Sequence, residues 1–111
     1  MNLNKSKICF IGAGNMANCI VEGLIKKDFP AQQIVASAPS EKNLKSLKDT
    51  LNIQVTSNNQ QAVAEADIIV LSVKPQVLQR VCEEIAGSLP HKPLIISIAA
   101  GISIESIDLW L

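Results

Sequence analysis

Aromatic residues are scarce in this chain of 111 residues, which has no Tyr, two Phe and one Trp. Nucleic-acid surfaces that stack bases need aromatic side chains, and this sequence offers almost none. Net charge is also absent, because ten basic residues balance ten acidic ones. Without an excess of positive charge, no long-range field draws the chain to nucleic acid or to an anionic membrane. Neither is therefore expected as a partner.

Long apolar runs and clusters of metal ligands are missing as well. No apolar run approaches the ~20 residues of a transmembrane helix, and the N-terminus lacks the apolar core of a secretory signal. A cytoplasmic location is therefore expected.

Cys9, Cys19 and Cys82 are far apart, with no Cys/His cluster, and we expect reduced core residues and no metal site. His91 is expected in a surface loop, so no catalytic side chain is predicted.

The apolar residues are arranged in an alternating order of strands and helices. With 48% hydrophobic and 18% charged residues, the composition is that of one globular domain. Short apolar runs predict strands over residues 7–11, 34–37, 53–56, 68–73 and 94–98. Helical spacing predicts helices over residues 15–27, 40–51, 58–66, 75–86 and 103–111. This order predicts an α/β fold, with a doubly wound, mainly parallel sheet covered by helices on both faces.

A glycine-rich segment, Gly12-Ala13-Gly14-Asn15-Met16-Ala17, joins the first strand to the first helix. Gly12 permits a tight turn, Gly14 lets the backbone approach a pyrophosphate, and Ala17 lets the helix lie close to the strand. Unpaired N–H groups at the start of the helix then face the phosphates. The glycine pattern alone is weak evidence of nucleotide binding. Its place between a predicted strand and a predicted helix, however, predicts a Rossmann-type dinucleotide-binding domain.

The residue about twenty positions after the glycine-rich segment bears on which nicotinamide cofactor is used. NAD-preferring sites place Asp or Glu there to bond the ribose 2′-hydroxyl, whereas this chain has Ser37. A carboxylate would repel a 2′-phosphate, so Ser37, Ser40 and Lys42 permit NADP by offering hydroxyls and a positive charge. Alternatively, Ser40 only caps the helix and Lys42 is an ordinary surface lysine.

Two further segments follow strands and are expected to border the nicotinamide half of the cofactor. They are Ser72-Val73-Lys74-Pro75 and Ala99-Ala100-Gly101. Ligands of doubly wound sheets lie across the carboxyl ends of the strands, where both segments fall. Small side chains in the second segment let a flat ring approach the backbone. Lys74 supplies a charge at the other wall, unless it is only a lysine at the start of a helix.

Taken together, residues 11–17, 73–75 and 97–102 resemble the pyrroline-5-carboxylate reductase family. The resemblance covers the whole chain and implies reduction of the cyclic imine 1-pyrroline-5-carboxylate to L-proline with NADPH, while use of NADH stays open. It also implies a set of cofactor contacts. These are Ile11, Gly12, Ala13, Gly14, Asn15, Met16, Ser37, Ala38, Asn59, Ser72, Val73, Lys74, Pro75, Ala99, Ala100 and Gly101. Ala38 departs from relatives with a polar residue there, which weakens the argument for NADP.

In that family a helical second domain supplies the dimer interface and most of the substrate pocket. This sequence ends at Leu111, where Trp110 and Leu111 have nothing after them to contact. We therefore expect residues 1–111 to be the first domain of a longer homo-oligomeric enzyme, and to be inactive alone. Two alternatives stay open: a non-catalytic nucleotide-binding module, and another imine or hydroxy-acid reductase, which would be expected to lack the two later segments.

Overall fold

The structure, a computed structural model, describes residues 5–12, 15–39, 41–98, 107 and 109–111. The strands are β1 (Ile8–Ile11), β2 (Ile34–Ser37), β3 (Gln54–Thr56), β4 (Ile68–Leu71) and β5 (Leu94–Ser97). The helices are α1 (Asn15–Lys26), α2 (Glu41–Leu51), α3 (Asn59–Val63) and α4 (Pro75–Ile85). Short 3₁₀ turns cover Ala31–Gln33 and Ala86–Ser88. The predicted last helix lies mostly outside the described residues.

The strands form one parallel sheet in the order β3-β2-β1-β4-β5. This confirms the doubly wound α/β fold predicted from the alternating pattern. The chain runs outward from β1 through β2 to β3, then crosses to β4 on the other side of β1. The order of the strands therefore reverses between β1 and β4, which is where such sheets bind ligands.

Alternate residues of the strands pack into two separate apolar layers, one on each face of the sheet. Phe10 and Val70 point to the layer that α1 and α2 cover. Ile11 and Leu71 point to the layer that α3 and α4 cover. Because β1 and β4 are buried on both faces, their sequences are continuous apolar runs rather than alternating ones. β5 is different, since Leu94 is 54% exposed at the edge of the sheet.

Two predicted elements end two or more residues earlier than the sequence pattern suggested. The run through Val73 was expected to be strand throughout, but β4 ends at Leu71. Beyond that end, the Ser72 hydroxyl donates to the backbone carbonyls of Ile11 and Gly12. Helix α3 ends at Val63, three residues before the predicted end.

One expectation about a single side chain was wrong. Cys19 is exposed on α1, whereas Cys9 and Cys82 are buried as predicted. Trp110 and Leu111, the last two residues of the sequence, pack against the apolar layer under α3 and α4. His91 is exposed in a turn, as expected.

The difference between the cysteines gives a direct test of the packing. Burial raises the pKa of Cys9 to about 12 and also raises the pKa of Cys82, so both thiols stay neutral at pH 8. The thiolate is the reactive form, so only exposed Cys19 should react quickly with a thiol reagent. We expect one fast thiol per native chain, none in Cys19→Ser, and three in wild type after unfolding in urea. Fast reaction of two thiols in the native chain would contradict this packing.

Candidate cofactor-binding site

The carboxyl ends of the three central strands lie side by side. In the register of the sheet, Ile11 of β1 pairs with Ser37 of β2 and with Leu71 of β4. Consequently Gly12, Ala38 and Ser72, which follow these residues, meet at one edge of the sheet. Segments far apart in the sequence are thus brought to the place where a doubly wound sheet binds its ligand.

Gly12 has a conformation and surroundings that only glycine tolerates. Its φ is +104°, in the region that other residues rarely adopt. Its N–H donates to the Ser37 carbonyl at 2.7 Å, which ties the turn to β2. A Cβ at this position would lie 2.7 Å from the carbonyl oxygen of Ser72 and 3.2 Å from Cγ1 of Val73. The turn is therefore packed against the end of β4 with no room for a side chain.

Ser72 holds the same turn from the other side. Its N–H donates to the Ile11 carbonyl at 2.9 Å, and its hydroxyl donates to the carbonyls of Ile11 at 2.8 Å and Gly12 at 3.1 Å. We expected Ser72 to contact the cofactor, but its hydroxyl is engaged with the backbone of the glycine turn. This supporting role was missed in the sequence. The available signal was a serine directly after a buried strand, where a polar group needs a partner.

Ser37 also has a role that differs from the expected one. It is fully buried, and its hydroxyl donates to Oδ1 of Asn59, the first residue of α3. In this structure the hydroxyl proton is therefore given to Asn59, and a contact of Ser37 with the cofactor stays a prediction. Asn59 itself is only partly buried. Ala38 is buried, and its N–H donates to the Thr56 carbonyl at 3.3 Å.

The segment after β4 reaches the same edge. Lys74 is exposed and occupies the N-cap position of α4, although its side chain makes no capping hydrogen bond. Pro75 is the first residue of the helix, where its missing N–H has no cost. A positive charge at the N-terminus of a helix is unfavourable, because it adds to the positive end of the helix dipole. The helix dipole therefore gives no stabilising role to Lys74 at this position.

The other predicted contacts fall at the start of α1 or outside the described residues. Asn15 and Met16 begin α1 directly after the turn. The remaining predicted positions lie outside the described residues; they are Ala13, Gly14, Ala99, Ala100 and Gly101. The structure therefore brings the predicted positions at the ends of β1, β2 and β4, together with Asn59, to one edge of the sheet.

A separate groove of about 390 Å³ lies mainly toward the amino ends of β2 and β3, away from the glycine turn. Its polar groups are already engaged with each other. Lys7 Nζ and Glu65 Oε2 form an ion pair at 2.7 Å, which raises the pKa of Lys7 and lowers the pKa of Glu65. Gln54 donates to the Gln32 carbonyl at 3.1 Å. This groove is not part of the site at the carboxyl edge.

Within the described ranges, no group of three or more His, Cys, Asp or Glu residues could hold a metal ion. Among those same residues, the helices are also too short to cross a bilayer: α1 has 12 residues, against the ~20 that a span requires.

The reversal point between β1 and β4, with a glycine turn pinned between β2 and β4, defines an α/β domain of the dinucleotide-binding class. The comparison with known proteins agrees with this class. The chain belongs to the family described as NADP oxidoreductase, coenzyme F420-dependent, whose model matches residues 7–101.

The chain is similar to several pyrroline-5-carboxylate reductases. It is 47% identical over 106 residues to the enzyme of Vibrio alginolyticus, which covers 96% of this chain and 39% of the relative. It is 44% identical over 109 residues to the enzyme of Pseudomonas aeruginosa, and this match covers 98% of this chain and 40% of the relative. A solved pyrroline-5-carboxylate reductase from Coxiella burnetii superposes with a TM-score of 0.93 at 39% identity, covering 96% of this chain and 40% of that one. The chain thus spans about two fifths of these relatives' length.

Proposed function

We propose that this chain is the cofactor-binding domain of a pyrroline-5-carboxylate reductase, and that it holds NADPH at the carboxyl edge of the sheet. The observation that carries the proposal is the glycine turn, which is pinned to β2 through the Ser37 carbonyl and to β4 through Ser72. The similarity to reductases of that name over nearly the whole chain supports the same choice. A related reductase from Plasmodium falciparum, with a TM-score of 0.84 at 24% identity, was solved with NADP bound.

In this proposal each part of the edge contacts a different part of the cofactor. The turn from Ile11 through Met16 binds the pyrophosphate with backbone N–H groups at the start of α1. The end of β2, with Ala38, and the start of α3, with Asn59, border the adenosine ribose. The nicotinamide half lies against 72–75 and 99–101. The cofactor supplies the hydride, and the residues of this chain bind it and orient it.

The other parts of the reaction belong to the proposal as well. The imine substrate, a helical second domain and a homo-oligomeric assembly are proposed for a longer protein that contains this domain. No residue of the present chain is assigned a catalytic role. A cytoplasmic location is part of the same proposal.

The test is a titration of the chain with NADPH and NADH, followed by assay with 1-pyrroline-5-carboxylate. We expect saturable binding of NADPH and little or no formation of proline by the isolated chain. Fluorescence of the bound dihydronicotinamide reports binding, and free proline is measured separately. Absence of binding to both cofactors would refute the proposal. Efficient proline formation would show that the substrate site lies within these residues, contrary to what is proposed.

Removal of the charge at Lys74 provides a more local test. We expect Lys74→Ala to weaken NADPH binding about tenfold, which is the loss of roughly 1.4 kcal/mol for a charge-assisted contact. Lys45→Ala, which removes an exposed lysine from the middle of α2, is the matched control and should leave binding unchanged. Equal effects of the two substitutions would mean that Lys74 acts only through overall charge.

A further inference from the structure

The hydroxyl of Ser72 donates to two carbonyl oxygens of consecutive residues in the glycine turn. Ser72 Oγ lies 2.8 Å from the oxygen of Ile11 and 3.1 Å from the oxygen of Gly12. A backbone carbonyl can only accept a hydrogen bond, so the hydroxyl is the donor in both contacts and shares its single proton between them. The direction of these hydrogen bonds therefore follows from the chemistry of the partners.

Gly12 is held from both sides through its two backbone polar groups. Its N–H donates to the carbonyl of Ser37 on β2, and its carbonyl accepts from Ser72, which follows β4. This carbonyl lies beyond the end of β1, and glycine has more backbone freedom than any other residue. The orientation of the carbonyl corresponds to the ψ angle of Gly12. The Ser72 hydroxyl therefore fixes the direction in which the chain leaves the turn toward α1.

The orientation of the Gly12 carbonyl matters to an anionic ligand. Backbone N–H groups attract a pyrophosphate, whereas a carbonyl oxygen is the negative end of the peptide dipole and repels it. If the Gly12 carbonyl rotated toward the ligand, its oxygen would oppose the phosphates. The hydrogen bond from Ser72 keeps this oxygen on the side of β4.

We propose that Ser72 is a positioning residue for the pyrophosphate: its hydroxyl holds the Gly12 carbonyl toward β4 and so keeps the turn ready before the cofactor binds. The inference rests on the proposed function, since it concerns the same turn and the same ligand. A turn that is already ordered loses less conformational entropy on binding. Because NADPH and NADH share the pyrophosphate, the hydroxyl strengthens the binding of both by the same factor.

The first test measures NADPH and NADH binding to wild type, Ser72→Ala and Ser72→Thr. Ser72→Ala keeps the backbone bond from residue 72 to the Ile11 carbonyl and removes only the contacts of the hydroxyl. Both affinities should fall about tenfold, the upper range for one neutral hydrogen bond, with their ratio unchanged. Ser72→Thr keeps a hydroxyl and should bind both cofactors within about twofold of wild type. Ile85→Val, which trims a fully buried side chain at the last residue of α4, is the control for loosened packing and should leave binding unchanged.

The second test is hydrogen exchange in the chain without cofactor. When the Gly12 carbonyl is released, the adjoining Gly12 N–H should leave the Ser37 carbonyl more often. We expect its amide to exchange about tenfold faster in Ser72→Ala than in wild type, the same factor as for binding, because both report the loss of one hydrogen bond. The amide of Val81, in the middle of α4, should exchange at the same rate in both.

Three results would overturn the inference. They are unchanged binding or unchanged Gly12 exchange in Ser72→Ala, a loss confined to one of the two cofactors, and equal losses in Ser72→Ala and Ser72→Thr. If wild type binds both cofactors and one of these results is found, the inference fails and the proposed function stands. If wild type binds neither cofactor, the proposed function fails and this inference fails with it.

Discussion

Replacement of Gly12 by alanine should destabilise the domain by about 3 kcal/mol or more and abolish measurable NADPH binding. A residue with a Cβ at φ +104° carries a backbone cost of roughly 1–2 kcal/mol. The new Cβ would also lie 2.7 Å from the Ser72 carbonyl oxygen and 2.9 Å from its carbon, and both are backbone atoms. Neither can rotate away, so the turn or the end of β4 must move. Urea unfolding gives the stability, and titration with NADPH gives the affinity.

Gly23 supplies the matched control, since it is a glycine of the same chain without these restraints. It lies in α1, and a Cβ added there meets nothing within 4 Å. Gly23→Ala should therefore stabilise the domain by about 0.5–1 kcal/mol, because alanine is the better helix former, and leave binding unchanged. If Gly12→Ala were as stable as wild type, the close approach of the turn to β4 would be wrong.

The fold was largely predictable because its elements are marked by local patterns. β1 and β4 are apolar at every position, since both faces of a central parallel strand are covered. The error at Cys19 shows the limit of reading neighbours along the sequence. On a helix, Cys19 lies two residues from both Ala17 and Val21, which is about 200° around the axis from each. Those two side chains are buried, so Cys19 faces solvent.

The candidate site was predictable in its position but not in the roles of its hydroxyl groups. The strand ends and the glycine motif can be recognised from residues that are close together in the sequence. They therefore predict that the site lies at the carboxyl edge of the sheet. The hydroxyl partners depend on tertiary contacts: Ser37 bonds Asn59 across 22 residues, and Ser72 bonds Ile11 across 61. No local pattern specifies such pairs. For Ser37, burial was the missing information, because a fully buried hydroxyl needs a partner inside the protein.

Replacement of Phe10 by alanine should cost about 3–5 kcal/mol of folding free energy, the usual range for truncating a buried aromatic side chain. Phe10 is fully buried at the centre of β1, in the layer beneath α1 and α2. A domain of this size has a total stability of roughly 5–15 kcal/mol, so this one change removes a large part of it. Urea unfolding monitored by circular dichroism measures the loss.

Leu94→Ala is the comparison, because Leu94 lies on β5 and is 54% exposed. Its truncation should cost less than about 1 kcal/mol, since little apolar area returns to water. Phe10 also lies two residues before the glycine turn, on the strand that carries it. If the Phe10→Ala variant is still folded in buffer, it should therefore retain NADPH binding. The backbone hydrogen bonds from Gly12 to Ser37 and from Ser72 to Ile11 remain in that variant. Similar costs for the two variants would mean that β5 is as deeply packed as β1, against the exposure of Leu94.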